Sequence, residues 1–415
     1  IDAEQDITAG GNLISKNGDI TLDARSGSIT TQGTVNAHNN VIANANGNIN
    51  TNGAVTATNG NAVLNSNAGS VTTKNVTAGQ AVDIDAKKDI KADGALTSNN
   101  GDITLDAGGK ITINGKTKAL KNVTANANGD INTNDDVTST NANVDLNAGG
   151  SVTTKNVKAD QAVDIDAAQD ITANGNLTST NANVDLNAGG SITTGGEVKA
   201  QKNVDYNAKG SITTKGIINS TAGNINLQTD AAQGNITFGG DVTAEHGNIN
   251  IDVLQKGSVK DPNHKYKFTA KGDKGDTYKD DINRGSGNFT LKINGVGDVD
   301  LHEIFATNDA TIDVANGNLK LAKINGDLVA LQLRTEGKKL QVGELIAGTK
   351  IIAQGSDIDL TKIQQRKDAN GLLTIVPDGA NPYKPIDKLN IGEIITNKGV
   401  RFEHLWLNNG SIKVS

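Results

Sequence analysis

The sequence predicts an all-β chain wound as a right-handed parallel β-helix, a solenoid with ~20-residue coils and lateral loop insertions. Three observations predict it. The same words return at fixed offsets, the apolar residues inside each word alternate with polar ones, and Asn, Gly and Asp fill the joints between words. Thr138–Ser151 (TSTNANVDLNAGGS) returns unchanged at Thr178–Ser191, an offset of 40. Asn75–Ala86 (NVTAGQAVDIDA) returns at Asn156–Ala167 as NVKADQAVDIDA, an offset of 81. Ile42–Asn52 is echoed by Thr124–Asn134, an offset of 82. These offsets are two and four multiples of a unit of about 20 residues.

Each unit carries three short apolar words. From Val163 they are Val163 with Ile165, then Ile171, then Leu177. One unit later they are Val184 with Leu186, Ile192 and Val198, and then Val204 with Tyr206, Ile212 and Ile218. Alternation with Thr or Asp inside the first word is the period-2 mark of a half-buried strand. Asn, Gly and Asp suit joints because they tolerate the tight turns required there. No window has a 3.6-residue apolar stripe of helical length. Each strand therefore pairs with its counterparts one coil up and one coil down, about 4.8 Å away. The right-handed winding is expected because parallel crossovers favour that hand. Residues 1–254 form the regular part, about twelve coils at this period.

Composition agrees with a narrow solenoid. Hydrophobic residues make up 35%, aromatics only 2%, and Gly alone fills 48 positions, too few large side chains for a wide globular core. A coil of three short strands encloses a space that Val, Ile, Leu and Ala fill, and rings do not. Asp106, Asn147, Asp166, Asn187 and Asn207 recur at what read as equivalent joints and are expected to stack between coils.

After Ile249 the repeat is interrupted. Residues 255–288 are hydrophilic, rich in Lys and Asp, and read as a lateral loop or hairpin leaving the stack. From Phe289 to residue 415 the β-helix continues in longer words of the form Φ-x-Φ-x-x-Φ, such as Val299–Ile304 and Leu319–Ile324. A second loop is expected at 364–388, which holds Pro377, Pro382 and Pro385. Charge divides with the wording: residues 1–250 carry 16 basic and 25 acidic side chains, while the whole chain is only −7.

GSITT, GNINT, VDLNAGG and ITLDAGG at this spacing resemble the stalks of filamentous-haemagglutinin-like adhesins of Gram-negative bacteria. The Φ-x-Φ-x-x-Φ words of the second half are similar to those of leukotoxin-like filamentous adhesins. The resemblance implies a β-helical passenger, secreted by a two-partner or autotransporter route through an outer-membrane secretion partner. It also implies an extracellular or cell-surface location and a role in attachment to a host or bacterial surface receptor or glycan. Neither the amino-terminal secretion domain nor an outer-membrane barrel is found in the wording. The first residue, Ile1, reads as that of a processed chain or fragment. Absence of Cys suits a chain held unfolded until export and removes disulfides and thiol chemistry. No run approaches the ~18 apolar residues of a membrane span.

The carboxylates repeat with the coil, as Asp83, Asp85, Asp164 and Asp166 do, whereas an active site breaks the pattern once. The expectation is a non-enzyme, with a β-helical polysaccharide-active enzyme as the rival and a self-associating surface filament as a third reading. The five histidines, His38, His246, His264, His302 and His404, have no close pair, so no metal and no cofactor is expected. Asp135-Asp136 and Asp280-Asp281 read as exposed turns, with weak Ca²⁺ binding as the alternative. The negative charge argues against nucleic acid. Trp406 is expected inside or under a loop. The candidate contact surface is the 255–288 loop, through Lys271, Gly272 and Asp273, a basic–acidic triplet, together with Tyr266, Phe268 and Tyr278. Aromatic side chains dominate interface hot spots and are rare in this chain.

Overall fold

A computed structural model describes residues 1–272, 287–380 and 384–407. The described residues contain strands and turns but no helix, and wind in about 17 turns of roughly 21 residues. Every registered strand pair is parallel, so the fold is a β-solenoid, as the repeats predict. By contacts the chain divides into two units, residues 1–200 and 201–415.

In residues 1–200 each coil after the first has one strand of five residues and two of three. Val144–Ala148, Val152–Thr154 and Val157–Ala159 make one coil; Val163–Ala167, Ile171–Ala173 and Leu177–Ser179 make the next. Val144 pairs with Val163, Leu146 with Ile165, and Ala148 with Ala167, so like stacks on like. The first, third and fifth residues of the long strand point inward and are buried, while the second and fourth face out. A shift by one residue would turn every apolar side chain to solvent, which pins the register.

At the corners the backbone changes direction and its N–H groups lose strand partners. Side-chain oxygens from the coil below replace them. Asp102 Oδ1 accepts from Asn122 N (2.9 Å), Asn122 Oδ1 from Asn143 N (3.2 Å), and Asn143 Oδ1 from Ala162 N (3.0 Å). A second corner repeats this through Asn156 and Asn176, which accept from Asn176 N (2.8 Å) and Glu197 N (2.9 Å). A third uses Asp130 and Asp170, accepting from Ser151 N (2.8 Å) and Ser191 N (2.7 Å). The neighbouring glycine is required by this packing. A Cβ on Gly175 would stand 2.4 Å from Asn156 Oδ1, and one on Gly196 would stand 2.3 Å from Asn176 Oδ1. The residues expected at the joints are elsewhere. Asp106, Asn147, Asp166 and Asn187 occupy the outward fourth position of the long strand. They do stack there, Asn187 Nδ2 donating to Asp166 Oδ1 at 2.9 Å.

One turn is closed from inside by a buried serine. Ser139 Oγ donates to Lys121 O (2.5 Å) and accepts from Ala142 N (3.1 Å); Ser179 repeats this with Gln161 O (2.6 Å) and Ala182 N (3.1 Å). Buried threonines also pair between coils, Thr133 Oγ1 donating to Thr154 Oγ1 at 2.7 Å.

Residues 201–415 begin with the same three-strand coil, as in Ile225–Thr229, Ile236–Phe238 and Val242–Ala244. Later strands run through the corners, reaching 15 residues in Leu319–Leu333 and 16 in Lys339–Gln354. The Φ-x-Φ-x-x-Φ word explains how. In Val299–Ala306 the side chains of Val299, Leu301 and Ile304 are buried, while adjacent His302 and Glu303 both face out. Two successive outward residues bend the strand onto the next face without breaking it.

Four expectations change here. The 255–288 segment is not wholly a lateral loop: Val259–Lys260 and Lys267–Ala270 are strands of the stack, paired with Ile236–Thr237 and Val242–Ala244. Within 364–388, Leu373–Asp378 is likewise a strand on Lys350–Gln354, with Pro377 buried opposite Ala353. Both segments are hydrophilic at their turns, which hid the short inward words. The interior of this unit also holds rings. Phe238, Phe268 and Phe289 stack edge to face in successive coils, with centroids 4.8 and 6.1 Å apart. Trp406 is 53% exposed rather than packed inside.

Replacing Ser139 by Ala leaves the Ala142 N–H and the Lys121 carbonyl without their partner. Urea unfolding should show a loss of about 1–3 kcal/mol. Thr138→Ala, on the outward neighbour, should stay within about 0.5 kcal/mol.

Candidate binding surface

Within residues 201–415 the 261–266 turn is built on one carboxylate. Asp261 is 1% exposed, and its oxygens accept from the backbone of Asn263 (3.0 Å), Lys265 (2.8 Å) and Tyr266 (2.8 Å). His264 takes a left-handed conformation at φ 47°. The result is a firm knuckle with the lysines outside. Lys256, Lys260, Lys265 and Lys267 are all exposed. Lys267 meets Glu303 at 3.5 Å and Lys271 meets Glu245 at 2.7 Å, while the Lys265 ammonium lies 5.3 Å from the Tyr266 ring centre.

The candidate residues separate on this framework. Tyr266 is half-buried on the knuckle, its hydroxyl accepting from Asn263 Nδ2 at 3.1 Å. Phe268 is corrected: it is fully buried, because the alternation of Lys267–Ala270 turns it into the ring stack. Lys271 and Gly272 follow that strand at the surface. Asp273 and Tyr278 lie outside the described residues, as do Asp280 and Asp281.

Lys271 and Gly272 also line a cavity of about 580 Å³, which sequence reasoning missed. Its floor is an outward column in register, Phe305–Asn325–Ile346–Gln364, one residue from each of four successive coils. Most such columns hold Thr, Asn, Asp or Lys, with Ile14, Ile42 and Val63 as aliphatic exceptions; here a ring joins an aliphatic side chain in one column. Arg366 crosses the cavity wall. Its Nε donates to Asn325 Oδ1 (2.7 Å), Nη1 to the Thr307 carbonyl (2.7 Å), and Nη2 to the Ala306 carbonyl. The guanidinium carbon sits 5.9 Å from the Phe305 ring centre. Burial pushes the Arg366 pKa down, opposed by Asp327, Asp368 and Asp309, and an arginine stays charged under such a shift. Lys367 and Asp368 lie exposed at the rim. The arrangement offers an apolar floor, amide groups and cations, the mixture that orients a ligand in a surface site. The detectable sequence signal was Phe305 itself, an aromatic residue at an outward position in a chain with 2% aromatics.

A different surface occupies residues 1–200. Asp145, Asp164 and Asp185 stand in register on three consecutive long strands. Like charges placed directly opposite each other destabilise a sheet. Burial first, then Asp166 and Asp145, push the Asp164 carboxyl up to about 6. Burial also raises Asp145 and, with Asp106 and Asp85, Asp83.

Phe268→Ala should cost about 3–5 kcal/mol in urea unfolding, the loss typical of a buried ring. Tyr266→Ala should cost under about 1 kcal/mol. The raised Asp164 pKa means that the folded chain holds a proton more tightly than the unfolded one. Stability therefore increases as pH falls through 6 toward the unfolded value near 4. After allowance for solvent screening the gain is about 1 kcal/mol. Asp164→Asn should supply a similar gain at pH 7 and flatten the dependence, as read by thermal unfolding between pH 7 and pH 4.5. Searches of protein-family models, of curated proteins and of solved structures found nothing that matches the chain, so its surfaces are the basis for a functional reading.

Proposed function

We propose that this chain is part of an extracellular structural and adhesive rod, a segment of a large secreted or surface-exposed filamentous adhesin. It mediates attachment to host or neighbouring cells by presenting a recognition site on a repetitive spacer. The observation that carries the reading is the interruption of the repeat at Phe305, Ile346 and Arg366. Outward positions on most coils are interchangeable small polar residues, which suit a spacer. The cavity beside Lys271 departs from that rule at Phe305 and Ile346, two members of a column that spans four adjacent coils. The solenoid supports the spacer half of the reading, since identical coils add length at a fixed rise. The likeness of the repeat words to filamentous-haemagglutinin-type stalks supports the location and the attachment role.

Purified chain on beads should be retained on a panel of epithelial and bacterial surfaces above uncoated beads. Phe305→Ala combined with Lys367→Glu should lower that retention at least tenfold while circular dichroism and the unfolding midpoint stay unchanged. Retention equal to that of uncoated beads, or retention indifferent to the double substitution, would overturn the proposal.

A further inference from the structure

The nine five-residue strands of residues 1–200 turn their second and fourth residues outward, and those 18 positions hold eight aspartates and no Lys, Arg or His. The lysines of the same unit stand on other faces, as Lys91, Lys118, Lys158 and Lys199 do on three-residue strands. One face of the solenoid is therefore a flat surface of a single sign. Its aspartates are spaced at the ~4.8 Å interval of neighbouring strands where they stack. Such a surface repels itself and gains from an opposite charge brought against it.

The 255–271 segment of the other unit carries five lysines and a single acidic residue, Asp261, whose carboxylate is turned inward onto three backbone N–H groups. Glu303 and Glu245 pair with Lys267 and Lys271. Lys256, Lys260 and Lys265 are exposed and have no ion-pair partner among the described residues. Held by Asp261, the knuckle is pre-formed, so docking it orders little additional chain.

We propose that copies of this chain associate with one another, the lysine knuckle of one copy docking on the aspartate face of a second. The two surfaces differ, so the contact is heterologous: each chain keeps a free knuckle or a free face, and association continues in an open series. The cavity at Phe305 takes no part, so self-association and attachment are separable. Six of the nine strands carry the aspartates, and the three consecutive strands with Asp145, Asp164, Asp166 and Asp185 hold them most densely, which makes that stretch the knuckle's seat.

Sedimentation velocity of the full chain tests this. At about 20 mM salt the wild-type chain should show concentration-dependent species larger than a monomer, and at about 500 mM salt it should be monomeric, since screening weakens exposed charge contacts. Reversing the knuckle (Lys256→Glu, Lys260→Glu, Lys265→Glu) or the face (Asp145→Lys, Asp164→Lys, Asp185→Lys) should raise the concentration for half-association at least tenfold. Mixing the two reversed chains in equal amounts should restore association, because each then offers the charge the other lacks. The milder Asp164→Asn and Lys265→Gln variants, which keep the fold if a triple reversal does not, should each weaken association measurably. A wild-type chain that stays monomeric at low salt overturns the proposal. So does a mixture of folded reversed chains that stays monomeric, or association by either reversed chain alone at the wild-type concentration.

Discussion

A backbone N–H that leaves one strand and has not yet entered the next must find an acceptor, and at the corners of this solenoid it finds a side chain. An Asn or Asp one coil below supplies the oxygen, and its own N–H is received by the coil below that. Asp102, Asn122 and Asn143 make one such ladder, and Asn156 with Asn176 another. At the part-buried corner of Asp102, Asn122 and Asn143 an N–H left without a partner costs about 1–3 kcal/mol, so a missing residue there is felt locally. The ladder also binds each coil to its neighbours by more than strand pairing. No coil is complete until the one beneath supplies its acceptors, which makes the stack the folding unit.

That constraint divides the residues into fixed and free. Inward positions are set by packing, corner positions by the ladder, and glycines such as Gly175 by the oxygen they must clear. Only outward positions are left to vary, and it is there that function can be written. In residues 1–200 they accumulate aspartate on one face at a cost in charge repulsion, partly relieved where Asn187 donates to Asp166. In residues 201–415 they admit Phe305 and Ile346 and the Arg366 guanidinium, whose three hydrogen bonds reach two earlier coils. The knuckle and the cavity are built by departures from the repeat, the acidic face by outward positions of an unbroken one.

Most of the coil was legible from the words themselves. Alternation in VDLNA identified the inward residues, and offsets near 20 and its multiples identified the partner of each strand. The joint residues were harder, because Asn and Asp occur both at corners and at the outward fourth position, and composition alone does not tell Asn143 from Asn147. Val259–Lys260 and Leu373–Asp378 were hidden by the polar and proline-containing turns around them. Phe268 was read as a surface aromatic because its neighbours, Lys267 and Lys271, are charged. The cavity left almost no trace, since Phe305, Asn325, Ile346 and Gln364 lie in four different coils.

The repeat period, the parallel stacking and the division between inward and outward faces were determined by the sequence alone, because each depends on spacing within one strand or between identical words. Tertiary structure alone decided which carboxylate turns inward, as Asp261 does, and which cation reaches across coils, as Arg366 does. Those outcomes depend on distances between residues as many as 60 positions apart in the chain, which only the winding of the coils brings together.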